Sequence, residues 1–143
     1  VKDLFGVDGA GVVQSQQTFP PAESNLTVLC MIYTLSSKSA ALESITDSWG
    51  RRCDGFLAFS DHTDDSLGAI SMDFVYNLFF EEGSNHWTES YDKMWNKAQL
   101  IWSTVALSDL IDEYDFFVLG GDDLYVHVDN LKGLLRLKNT TSM

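Results

Sequence analysis

Positive charge is scarce in this sequence: nine Lys and Arg stand against 21 Asp and Glu, a formal net charge of −12. A surface so acidic repels an extended phosphate backbone, which argues against nucleic acid as a partner. A single nucleotide is not excluded, because a divalent cation offsets its phosphates. No apolar run approaches the roughly 20 residues that a bilayer-spanning helix needs, and no signal-peptide pattern opens the chain. Any membrane anchor is therefore expected upstream of Val1. Cysteine is down to Cys30 and Cys53, which by count alone are either one disulfide or two buried thiols. Several catalytic signatures are also missing. There is no His-Glu-x-x-His, and His62, His86 and His127 have no metal-ligand spacing, so a zinc enzyme is unsupported. Gly-x-Ser-x-Gly, Walker and Gly-x-Gly-x-x-Gly loops are absent as well.

What is present is a core. Of 143 residues, 45% are hydrophobic and 13% aromatic, enough for one folded domain and too many for a disordered acidic tail. Residues 1–25 hold both prolines, Pro20 and Pro21, and a Gln-rich stretch. They read as a flexible stem or lead-in. Asn25 and Asn139 each open an N-glycosylation triplet.

From residue 26 onward, short apolar runs alternate with helical periodicity. Strands are expected at 26–33, 55–60, within 69–80 and at 115–119. Helices are expected at 36–49, capped by Ser36 or Ser37, at 90–110, and at 129–137, capped by Asp129. In the last of these Leu131, Leu134 and Leu135 face inward. Trp49, Trp95 and Trp102 fall at helical positions that suit a core better than a sugar platform. Continuously apolar strands between helices predict an α/β fold, a mainly parallel sheet flanked by helices on both faces. Ligands in such folds bind beyond the carboxyl ends of the strands.

One segment concentrates the chemistry: Asp115-Phe-Phe-Val-Leu-Gly-Gly-Asp-Asp-Leu-Tyr-Val126. A buried strand runs into two adjacent carboxylates, Asp122 and Asp123, after two glycines that allow close approach. Hard cations such as Mn2+ or Mg2+ take carboxylate oxygens together with substrate phosphates. A surface turn, rich in the same residue types, is the competing reading. Lys97, near a helix start, is either a point charge for a diphosphate or a solvated surface lysine.

This segment resembles the strand and Asp-Asp-Asp-Thr-Tyr-Val stretch of fringe and core 1 β-1,3-galactosyltransferases, with Gly121 in place of the first Asp. Three further segments resemble the family in the same order: Val28-Leu-Cys-Met-Ile-Tyr-Thr34, Ser48-Trp49-Gly50-Arg51-Arg52-Cys53 and Trp95-Asn96-Lys97. Val128-Asp129-Asn130-Leu131 follows the acidic motif as a similar stretch does there. The likeness covers about residues 26–137.

The resemblance implies a truncated GT-A (Rossmann-like) nucleotide-sugar-binding fold, with residues 26–143 as its donor-binding half. It implies inverting transfer of galactose from UDP-galactose, in β-1,3 linkage, to O-linked N-acetylgalactosamine on a glycoprotein or glycopeptide. Mn2+ or Mg2+ is the implied cofactor, on Asp123 and Asp122. Asp122 is implied at the metal or the donor ribose, with Thr34 and Lys97 as donor contacts. A Cys30–Cys53 disulfide, a Golgi-luminal location, no nucleic acid and, as an open option, a homodimer follow from the same likeness. Two other readings stand beside it: a non-catalytic partner or chaperone, kept alive by Gly121, and a fringe-type N-acetylglucosaminyltransferase. The family's catalytic base and most of its acceptor site fall after the acidic motif. Residues 1–143 alone are therefore expected to transfer no galactose, and robust turnover in a radiolabelled UDP-galactose assay would refute this.

Overall fold

The structure, a computed structural model, describes residues 26–80, 87 and 93–141. The lead-in expected over residues 1–25, the Asn25 triplet, His86 and the helix start expected at Ser90 lie outside the described residues. Four strands, β1 (Val28–Tyr33), β2 (Gly55–Ser60), β3 (Ala69–Ser71) and β4 (Phe116–Gly121), form one all-parallel sheet in the order β3-β2-β1-β4. Helices α1 (Ser39–Asp47), α2 (Asp73–Phe80), α3 (Met94–Ala106), α4 (Leu110–Glu113) and α5 (Val128–Thr141) cover it. The expected α/β class is what the chain adopts, a Rossmann-like arrangement.

Strand β1 is apolar at every position because both of its faces are covered. Val28, Cys30 and Ile32 enter one core with Leu42, Ile45 and Trp49, against which Leu131 and Leu135 of α5 pack. Leu29 and Met31 enter a second core with Tyr76, Trp87, Leu100, Ile101 and Val105. The alternation of side chains across a strand sorts neighbours into different cores. Each fully buried aliphatic side chain contributes about 1.5–3 kcal/mol of burial energy.

Several expectations are corrected. The third strand lies within 69–80 as expected, at Ala69–Ser71, but the aromatic run after it is helix α2, which was not expected. Tyr76 packs inward while Phe74 and Leu78 are exposed, a helical division of faces that a strand cannot give. The long helix ends at Ala106, with α4 as a separate short turn. Trp95 and Trp102 are exposed, because α3 buries the stripe of Lys97, Ile101 and Val105, four residues apart, and the two tryptophans, seven residues apart, share a different face. Leu134 is exposed too. Ser36 does not cap α1; its amide and hydroxyl donate to Asp61 instead. Asp129 lies inside the first turn of α5, where it pairs with Arg52 at 3.5 Å. Among the described residues, no helix is long and apolar enough to cross a membrane.

Cys30 and Cys53 form a disulfide, joining the central strand to the loop after α1. The same loop is held from the other side by Lys132 of α5, which pairs with Asp54. Burial pushes the Asp54 carboxyl up, but the hydrogen bond from Lys132 and the amide of Val28 outweigh it and hold it low. A bridge between residues 23 apart in sequence stabilises by about 3 kcal/mol in the chain-entropy account. Reduction is thus expected to lower the urea midpoint by that equivalent, and an unchanged midpoint with dithiothreitol would count against the bridge.

Candidate functional site at the carboxyl edge of the sheet

The chain runs from β1 outward to β2 and β3, then returns to place β4 on the other side of β1. The strand order therefore reverses between β1 and β4, and the crevice beyond their carboxyl ends is where parallel α/β sheets receive ligands. Tyr33 and Gly121 are directly paired there. One residue further on, the Thr34 hydroxyl donates to Asp122 Oδ2 at 2.8 Å. Thr34 is buried, Asp122 is half-buried and Asp123 is exposed. The structure thus brings the sequence-identified Thr34, Asp122 and Asp123 together.

Gly121 sits tightly at this junction. A Cβ there would lie 2.9 Å from Asp123 Oδ1 and 3.1 Å from the Tyr33 ring, so both side chains would have to shift slightly to admit one. At Gly120 a Cβ would collide with Leu124.

Lys97 is the fourth anticipated residue, and it is no surface lysine: 6% of it is exposed. Its ammonium lies 5.2 Å from the centre of the buried Trp87 ring, within cation–π range. Burial pushes the Lys97 ammonium below its ordinary value, while the charges of Asp61 and Asp73 pull it back up. Trp87 in turn donates its indole N–H to the Thr34 carbonyl at 3.0 Å. A continuous chain of contacts therefore runs from Asp122 through Thr34 and Trp87 to Lys97.

Sequence reasoning missed Asp61, His62, Asp73 and Ser36, which complete this edge. Asp61 follows β2 directly and is buried. It accepts from the Ser36 amide at 2.5 Å, the Ser36 hydroxyl at 2.7 Å, the Ser60 hydroxyl at 3.0 Å and His62 Nδ1 at 2.9 Å. Burial alone would push its carboxyl up, but the donors of Ser36 and His62 prevail and hold it far below the carboxylate range. A carboxylate that stays ionised only accepts, so Nδ1 of His62 carries the proton. The available signal was positional. A carboxylate immediately after an apolar strand marks the binding edge of a parallel sheet, at Asp61 as at Asp122.

In chemical terms the edge offers carboxylates on one side and a desolvated ammonium on the other. Asp122 and Asp123 fit a hard cation that arrives with phosphate and water ligands, since such ions need only one or two protein carboxylates. Among the described residues, no three His, Cys, Asp or Glu side chains converge into a closed cage. Asp123 is the more open of the pair, because Asp122 already holds Thr34. No protein-family model matches the chain, and no solved structure matches it.

Because the folded carboxyl of Asp61 titrates below its unfolded value, its stabilisation is full above about pH 4 and is lost as pH falls through the folded value. Asp61→Asn removes that dependence and strands donors, a loss of about 1–3 kcal/mol at pH 7. Urea unfolding from pH 7 to pH 2 should show a shallower acid decline in the variant; parallel curves would remove Asp61 as a source of acid sensitivity.

Proposed function

We propose that this chain is the donor-binding part of a metal-dependent, inverting UDP-sugar glycosyltransferase of GT-A fold, of the fringe and core 1 type. Its reaction moves galactose from UDP-galactose in β-1,3 linkage to O-linked N-acetylgalactosamine. The observation that carries the reading is the Thr34–Asp122 hydrogen bond at the strand-order reversal, which sets the acidic pair beside the end of β1. A cation held there offsets the charge that builds on a leaving diphosphate. Asp123 supplies the open carboxylate and Asp122 a second oxygen or a contact to the ribose. Lys97 adds a fixed positive charge whose desolvation strengthens its pull on a phosphate. The disulfide supports an oxidising, secretory compartment, and the Golgi lumen is the location that fits this activity.

Gly121 favours a second reading, a non-catalytic relative acting as a partner or chaperone. A Cβ at Gly121 would press on the Tyr33 ring at 3.1 Å, so a further carboxylate ahead of Asp122 would need the ring to shift. One titration separates the two. Calorimetry with UDP should show binding that requires Mn2+ and weakens at least tenfold in Asp123→Ala. A folded chain that takes up no UDP with Mn2+ would overturn the transferase reading in favour of the second.

A further inference from the structure

Two helices of this strongly acidic chain turn an uncharged, aromatic face outward. Phe74 is 74% exposed, Phe79 71% and Trp95 78%, and Leu78 and Trp102 are exposed with them. Phe74 and Leu78, four residues apart, share one face of α2, as Trp95 and Trp102, seven apart, share one face of α3. On the inner side both helices feed the same core, α2 through Tyr76 and α3 through Ile101. The two helices also pack against each other. Their outer faces therefore look away from the same side of the sheet. From Phe74 to Phe80 and from Met94 to Leu107 the one charged residue is Lys97, and it is buried.

At about 200 Å2 for an aromatic residue, the five side chains leave about 600 Å2 in water. Monomeric proteins rarely expose more than a few hundred Å2 in one apolar patch, and larger patches mark interaction sites. Charge selects the occupant. At a net charge of −12, two copies repel each other wherever their acidic surfaces meet. A two-fold axis sets a face against itself, so an uncharged face meets its like without that penalty. Two such faces bury about 1,200 Å2 together, the lower end of specific interfaces. Aromatic enrichment and depletion of charge are also what the centre of an interface carries. Helix α5, on the opposite face of the sheet, exposes Leu134, but Lys132, Arg136 and Lys138 lie close to it in sequence. A two-fold contact there would bring like charges together.

We propose that the outer face of α2 and α3 is a docking surface for a second copy of this chain, in a two-fold dimer centred on Phe74, Leu78, Trp95 and Trp102. The inference goes beyond the donor-binding reading and does not depend on it.

Sedimentation equilibrium across micromolar concentrations follows the assembly of the wild type, Phe74→Glu on α2, Trp95→Glu on α3 and Leu134→Glu on α5. All three replaced side chains are exposed, so the variants are expected to fold, and far-UV circular dichroism checks each. The wild type is expected to be a dimer that dissociates on dilution. Each variant on α2 or α3 carries a pair of like charges into the contact and should dimerise at least tenfold more weakly. Leu134→Glu should dimerise as the wild type does. One folded variant on either helix is enough to decide. Tryptophan emission gives a second readout, shifting to the red as the wild type is diluted and Trp95 and Trp102 return to water. A wild type that stays monomeric throughout overturns the proposal; if that monomer floats with phosphatidylcholine vesicles, the face belongs to a lipid surface instead. A dimer that keeps its strength in folded Phe74→Glu and Trp95→Glu, or loses it equally in Leu134→Glu, overturns the assignment to this face. UDP binding is read in none of these measurements, so failure here leaves the donor site standing.

Discussion

Everything in this molecule is arranged around a strand with no free side. β1 is paired on both edges, with β2 and with β4, and packed on both faces. Its backbone groups are thereby spent on the ladder and its side chains on the two cores, so no polar residue fits before Thr34. The first polar side chain after such a strand emerges where the sheet ends, and here it meets a carboxylate that emerges from β4 for the same reason. The polar edge is thus a by-product of complete burial one residue earlier. Asp61, which follows β2, obeys the same rule.

The acidity of the chain takes on a different meaning when seen at this edge. Most carboxylates are solvated and contribute little beyond solubility. Asp61, Asp73, Asp122 and Asp123 are gathered at the ends of three strands, or one turn past them, with Lys97 as the buried cation among them. Like charges so close are tolerable when donors or a counterion are at hand. Asp61 has Ser36, Ser60 and His62; Asp122 has Thr34. Asp73 has the attraction of Lys97 and His62 against the repulsion of Asp61. Asp123 alone is left to solvent.

How much of this was legible in the sequence depended on whether a residue's environment is local. β1, β2 and β4 were readable because burial on both faces leaves an unbroken apolar run, and Asp122 and Asp123 because they end one. Helix α2 was not read from the sequence, since Phe74, Val75, Tyr76, Leu78, Phe79 and Phe80 crowd every face, exposed ones included, and hide the period. Trp95 and Trp102 suggested the wrong face of α3. The true stripe includes Lys97, whose placement four residues before Ile101 was visible but was outweighed by the ordinary behaviour of lysine. Ser36 looked like a cap because caps are local; its partner Asp61 is 25 residues away and could be found only in three dimensions.

The Thr34–Asp122 hydrogen bond joins residues 88 apart in sequence. Its strands, β1 and β4, are parallel and are separated in the described chain by β2, β3 and the four helices α1 to α4. Contacts of that span carry the largest loop-closure entropy and are slow to form. The crevice is consequently assembled late in folding. A chain caught partway, with β1 and β2 already joined, would display the apolar edge of β1 where the acidic pair should be. Competence of the edge therefore reports on completion of the whole sheet, and the most exposed moment in the life of this chain comes just before β4 docks.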